Sequence, residues 1–312
     1  MTCSIPPGAP PQRDDGPSDA GFVARLTGPR PLLDRRVAAI RDDIVDIALA
    51  GCVSASRYVV PVARAGGVPR CAMRALPAAD AVAVSELLRG ETFEVFEVAG
   101  DWCWGRTLHD RYLGWVETRN LIDVSMAPLH RITARRAPVF AAADIKAAVG
   151  DMLPFGAYVG GIVQGKFLAL NEGGFVHLRH VDAGLPKPPL DVARLFTGAP
   201  YVWGGRTPDG VDCSGLVQAA LTACGIICPR DSDQQLALLG VAVPFAGRAA
   251  GDLVFFPGHV GILATPDRLF HANAFWMTTL EEPLAGVIAR LAAAGVAEPV
   301  LGVRRIGPPI SA

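Results

Sequence analysis

Apolar residues recur along this chain in three rhythms, and each change of rhythm marks an expected change of architecture. Leu33, Val37, Ile40, Ile44 and Ile47 are spaced by four, three, four and three residues. That spacing predicts one amphipathic helix, stopped by Gly51 and packed on a later domain. From about 55 to 185 the apolar runs are short and broken by turn residues, which predicts small all-β units. A faint repeat runs through this stretch: Gly100-Asp101-Trp102-Cys103-Trp104 with Gly114-Trp115-Val116 is echoed by Gly165-Lys166-Phe167-Leu168-Ala169 with Gly174-Phe175-Val176. Beyond it, Leu216, Val217, Ala220, Leu221 and Cys224 follow helical spacing up to a stop at Gly225. The runs 251–256, 260–263 and 269–272 then read as antiparallel strands joined by turns at Pro257-Gly258 and around Thr265. The expected fold class is α+β: an N-terminal arm and amphipathic helix (1–54), two small barrels (55–125 and 126–186), and a helix packed on an antiparallel sheet (187–312). Residues 1–20 read as a loose Pro-rich arm, and Leu185-Pro186-Lys187-Pro188-Pro189 as a semi-rigid linker. The stretch from Asp191 to Phe196 is expected to open the last domain with a short helix.

Chemistry concentrates in the last domain. Cys213 falls in the first turn of its predicted helix, where unpaired N–H groups and the positive end of the macrodipole favour a thiolate over a thiol. A turn centred on Thr265 pairs residues whose numbers sum to about 530 and sets His259 directly opposite His271, with Cβ atoms roughly 5 Å apart. His271 would then hold one ring nitrogen of His259 while the other faces Cys213, giving nucleophile, base and orienting group. A slip of one residue would send the imidazoles to opposite faces. Asp212 works against a thiolate as a like charge. Its carboxylate reads equally well as a receptor for a substrate ammonium and as a helix N-cap. Ser232 with Gln235 is a capping-box pattern.

Composition narrows the field. Glycine (34) and proline (26) are abundant, as many turns and short strands require, and 51% hydrophobic residues exclude general disorder. A net charge of −1 supplies no basic field for nucleic acid or an anionic membrane. Cys224 with Cys228, and His177 with His180, lack the second ligand pair of a zinc site, so no metal or other cofactor is expected. Gly204-Gly205 lacks the lysine and strand-helix context of a phosphate loop. Seven cysteines, an odd number, suit a reducing compartment. No secretory leader and no apolar run of membrane-spanning length is visible, and the expected location is the cytoplasm.

Residues 190–312 resemble the NlpC family of papain-like cysteine peptidases, which cleave peptides of the bacterial cell wall. The resemblance rests on residues 198–205, 211–217, 229–232, 251–255 and 258–262, without departure at a catalytic position. It implies Cys213 as nucleophile, His259 as general base and His271 as the third, polar residue. It further implies Tyr201 beside the oxyanion, and Asp212 and Ser214 lining the subsite for a free amino end. Trp203, Arg230 and Ser232 would be further pocket positions. The two repeat halves resemble bacterial SH3-type barrels. In relatives with two such modules the first walls off the amino-end subsite, with Tyr112 and Glu86 as the candidates here. The implied reaction is hydrolysis of the bond from γ-D-glutamate to a diamino acid in small murein peptides with a free N-terminal L-Ala. No obligate protein partner is implied. An exported wall hydrolase anchored by its barrels and a thioester acyltransferase on the same fold are the alternatives.

Overall fold

The structure, a computed structural model, describes residues 33–126, 129–182 and 188–307. The predicted arm at 1–20 and the domain boundary near 187 lie outside the described residues.

The first barrel is one sheet in the order 83–88, 70–74, 113–117, 102–107, 92–99, 62–66, 121–122. Alternation along these strands turns Met73, Leu87, Phe93, Val95, Cys103 and Val116 into its core. The second sheet orders 129–131, 158–164, 167–170, 175–177, 136–140 and 149–154 around Ile132, Leu153, Val159, Leu168 and Val176. The sequence repeat is the same hairpin in both sheets. Trp102–Thr107 returns antiparallel to Thr92–Ala99, and Phe167–Leu170 to Tyr158–Gln164. Gly100 and Gly165 make the turns at φ 59° and 62°, where a side chain would be strained.

The amphipathic helix expected from Leu33 to Ile47 does not form. Ala38 N–H closes one turn on the Asp34 carbonyl, and the chain then folds back so that Ile40 bridges Val45. Val45–Asp46 pairs in parallel with Tyr58–Val59, and Ile47–Leu49 is a 3₁₀ turn. Tertiary contacts override the helical spacing: Ala39 and Ile44 are buried against Phe96, Trp104 and Trp115 of the first barrel. Buried Asp46 receives the Arg106 guanidinium at 2.7 Å.

The last domain opens with the short helix α1, Pro189–Ala193, followed by a 3₁₀ turn to Phe196. Its sheet runs 241–243, 302–305, 253–256, 259–265, 268–273, 278–283, antiparallel throughout. One face packs α2 (Cys213–Ala223) through Leu216, Val217, Ala220 and Leu221 against Phe255, Val260, Ile262 and Phe270. Helix α3 (Ser232–Leu238) follows α2. Helix α4 (Leu284–Ala293) covers the other face, over Val254, Phe256, Leu263 and Leu269.

Arg206 ties this domain to the first barrel. It is buried, donates to both Glu91 carboxylate oxygens (2.9 and 3.0 Å) and to the Glu86 carbonyl (2.8 Å), and meets Gln218 of α2 at 2.8 Å. Gln218 in turn donates to Asp110 of the barrel at 2.7 Å. The helix that carries Cys213 is therefore held from the barrel side. Arg206→Met strands the Glu91 carboxylate and should cost about 3–5 kcal/mol, the usual cost of breaking a buried ion pair. A lowered urea midpoint at unchanged m-value is the expected reading; an unchanged midpoint would show that the clamp contributes nothing.

Candidate active site

Asp212 is the N-cap of α2 and accepts the Gly215 N–H at 2.7 Å, so Cys213 is the first helical residue. Two glycine motifs make this geometry possible. Gly204 takes a positive φ of 81° and points its N–H at Asp212 (2.8 Å), and a Cβ on Gly215 would lie 2.2 Å from the Gly205 carbonyl oxygen. Gly204-Gly205 thus shapes a backbone crossing.

The Asp212 carboxylate is already neutralised. Arg230 grips it with two nitrogens at 2.5 and 3.0 Å, and both residues are buried. Arg230 also meets Ser214 Oγ at 2.9 Å and Ser85 Oγ of the first barrel at 3.3 Å. The N-cap role is the one this geometry displays, and the counter-charge expected from a substrate ammonium comes from Arg230.

His259 begins the strand 259–265, whose next residue, Val260, packs in the same core cluster as Cys213 of α2. The strand register differs from the expected one by two residues. Ile262 pairs with Phe270 and Leu263 with Leu269, and the ladder is irregular before Thr265. A shift of two preserves the face, so the imidazoles meet diagonally instead of directly opposite. His259 Nε2 lies 2.7 Å from His271 Nδ1. Gly261 leaves room for this, since a Cβ there would come within 3.0 Å of the His271 Cβ. Behind the pair, fully buried His271 places Nε2 2.9 Å from Glu282 Oε1, and Arg290 grips Glu282 at 2.5 and 2.8 Å. Asn273 and Trp276 complete the Glu282 shell at 3.1 and 3.3 Å.

Burial disfavours charge on both Cys213 and His259. Burial, helped by Asp212, pushes the Cys213 thiol up to about 11, against the Val260 and Ser214 N–H groups and Arg230. Burial pushes His259 down to about 3, with His271 acting in the same direction. Against the thiolate expected from the helix terminus, desolvation pushes the thiol up and the imidazole down, both in the direction of a neutral pair.

A cleft of about 260 Å³ opens in front of Cys213, lined by Tyr112, Tyr201, Trp203, Asp212, Ser214, Arg230, Asp231, Ser232, Asp233, Val84 and Gly258. Tyr201, next to the sulfur, has its hydroxyl pushed up by burial and stays a proton donor. Tyr112 reaches in from the first barrel and donates to Asp231 Oδ2 at 2.8 Å. Glu86 is not brought to the cleft. It is buried at the domain junction, where it accepts the Arg206 N–H at 2.7 Å and pairs with Arg70 at 2.6 Å. Ser232 lines the cleft but is not an N-cap: Asp231 holds that position, and Gln235 donates to the Ser214 and Pro229 carbonyls.

Glu282, Asn273, Arg290, Asp231 and Arg36 are site residues that the sequence did not single out. Asp231 lay in a matched run, Pro229-Arg230-Asp231-Ser232. Arg36 bridges Asp231 (2.8 Å) and Asp233 (2.7 Å) from 195 residues away, and no local signal announces it.

Iodoacetamide labelling of Cys213 in the free protein, followed by mass spectrometry, should climb steadily between pH 7 and 10. A rate that is flat across this range would indicate a resting thiolate–imidazolium pair instead.

Comparison with known proteins agrees with this geometry. The NlpC/P60 family profile matches residues 198–285, and the bacterial dipeptidyl-peptidase SH3 domain profile matches residues 73–121. A gamma-D-glutamyl-L-lysine dipeptidyl-peptidase of Bacillus subtilis is 34% identical over 97 residues, 28% of this chain and 32% of that protein. The bifunctional muramidase/DL-endopeptidase CwlT of the same organism is 40% identical over 92 residues, 26% of this chain and 27% of that protein. The matched segment thus spans between a quarter and a third of these relatives. The crystal structure of an NlpC/P60 family protein from Bacillus cereus superposes with a TM-score of 0.65 at 20% identity, covering 78% of this chain and 99% of that one, a likeness of fold. Residues 198–285 are an NlpC/P60 domain, and residues 73–121 a bacterial dipeptidyl-peptidase SH3 domain.

Proposed function

We propose that this protein is a cysteine peptidase that cleaves the bond from γ-D-glutamate to a diamino acid in small cell-wall peptides carrying a free N-terminal L-Ala. The observation that carries the reading is the closure of the cleft by the first barrel, with Tyr112 hydrogen-bonded to Asp231 in front of Cys213. A site walled in this way has room for a short amino end and excludes a continuing polymer by size.

Charge supports the same end of the substrate. Asp212, Asp231 and Asp233 line the cleft against one lining guanidinium, Arg230, and one bridging from outside, Arg36. Since Arg230 saturates Asp212, whose side chain is 7% exposed, the ammonium is assigned to Asp231, which is 27% exposed, is bonded by Tyr112 of the barrel wall and shares Arg36 with the solvent-facing Asp233 (66% exposed).

Chemistry follows from the neutral resting pair. His259 takes the Cys213 proton as sulfur attacks the γ-carbonyl carbon, and the Cys213 N–H and Tyr201 hydroxyl hold the oxyanion. The same proton passes to the departing amine. Water then cleaves the thioester, with His259 as base, and releases the dipeptide. The relatives named as dipeptidyl-peptidases support this reading over transfer to another acceptor. A place of work in the cytoplasm, on peptides released from the wall, belongs to the same proposal.

Cys213→Ala should abolish hydrolysis of L-Ala-γ-D-Glu-diamino acid while leaving the melting temperature in place. Asp231→Asn should raise KM about ten- to a hundredfold, the worth of a charged hydrogen bond. Acetylating the alanine should have a comparable effect. Equal cleavage of free and acetylated tripeptides would remove the amine-receptor role, and turnover by the alanine variant would reject Cys213 as nucleophile.

A further inference from the structure

We infer that Glu282 is a positioning residue that fixes the tautomers of both histidines, so that the lone pair of His259 is on Nδ1, the nitrogen left free for the thiol proton. The inference rests on the peptidase reading and extends it to a residue outside the nucleophile, base and third-residue set.

The argument is one of donors and acceptors. Glu282 ionised can only accept, and its charge is held by two Arg290 nitrogens at 2.5 and 2.8 Å. His271 Nε2, 2.9 Å away, must therefore carry a proton and donate it. A neutral imidazole with a protonated Nε2 has its lone pair on Nδ1. That lone pair faces His259 Nε2 at 2.7 Å, which must in turn be the N–H. His259 Nδ1 is then unprotonated and is the only ring nitrogen able to take the thiol proton. Each link leaves one option for the next. Without the carboxylate the sequence of choices has no origin: both rings could reverse, placing a proton on His259 Nδ1 and leaving Cys213 without a base.

Neighbouring groups fit this assignment. Asn273 Nδ2 donates to Glu282 at 3.1 Å, and Trp276 Nε1 donates at 3.3 Å, so the shell supplies donors to the carboxylate and leaves it ionised. Asn273 Nδ2 also lies 3.2 Å from His271 Nε2, a contact the shorter carboxylate bond outcompetes. The charged groups acting on the histidine pair are Glu282 from strand 278–283 and Arg290 from α4. Arg290 balances Glu282, which allows a carboxylate behind the pair without forcing either ring to be protonated.

The test is nitrogen NMR of the full chain with ¹⁵N-labelled histidine. In the wild type at pH 7, His259 and His271 should both show a protonated Nε2 and an unprotonated Nδ1. Glu282→Gln, close in size but able to donate as well as accept, should give a mixture of tautomers at His271 and His259. On the tripeptide it should lower kcat about ten- to a hundredfold with KM within about twofold, the range seen when an orienting partner is removed. In a His271→Asn background the same substitution should change kcat less than twofold, because the route to His259 is gone. A wild-type His271 with its lone pair on Nε2 would overturn the inference, and this needs no variant. So would a Glu282→Gln protein with wild-type tautomers and kcat, or one whose defect is confined to KM. If the wild-type chain leaves the tripeptide intact, the proposed function fails and the tautomer measurement still decides the role of Glu282.

Discussion

The arrangement of this site depends on one buried ion pair. Arg230, 2% exposed, cannot remain without a counter-charge, and Asp212 supplies it from the N-cap of the helix that begins at Cys213. Asp212 Oδ2 also takes the Gly204 N–H, Ser214 Oγ meets both partners, and Ser85 of the first barrel closes the remaining side of the guanidinium. Sulfur, helix terminus, glycine crossing and barrel are thereby fixed by one set of contacts. Two ions taken out of water gain little net stability from each other. What they give here is position, and position is what a nucleophile at a helix terminus needs.

The barrel is part of the site for a related reason. Arg206 and Gln218 reach into it behind Cys213, while Tyr112 comes out of it in front. A module joined only by a linker would leave the cleft open to whatever shape it met. Held from behind and closing from the front, it defines the pocket's size. The segment before the barrel contributes through Arg36, whose guanidinium spans Asp34, Asp231 and Asp233 and sets how much negative charge the cleft presents.

How much of this could be read from the chain follows the range of the interactions involved. The helix at Cys213, the three strands bearing His259 and His271, and the repeated Gly-aromatic hairpin depend on local spacing, and local spacing shows them. Two-residue periodicity preserved the shared face of the imidazoles even though an irregularity before Thr265 moved the register. Spacing failed where distant partners decide. Spacing alone places Ile40 and Ile44 in a helix, but Arg106 and the barrel tryptophans draw that segment into a fold-back. Glu86 looked available as a barrel carboxylate, and Arg206, 120 residues later, takes it into the junction. Glu282 carried no motif, because its meaning comes from lying diagonally across the sheet from His271, near its pairing with Leu280.

Burial has opposite effects on the two halves of the catalytic pair, and this bears on how such a site operates. Desolvation penalises charge on either partner, so the thiol rises and the imidazole falls, both in the direction of a neutral pair. In the proposed mechanism, charge separation is supplied during attack, when a developing oxyanion would meet the Cys213 N–H and the Tyr201 hydroxyl and the proton would pass to His259. Fixed dipoles and a fixed tautomer cost no rearrangement at that moment, which a solvent-exposed pair would have to provide. The Glu282 shell behind His271 and the barrel wall in front of Cys213 are thus two parts of one requirement: a nucleophile whose charge burial disfavours becomes reactive only where the acceptors and donors it will use are already in place.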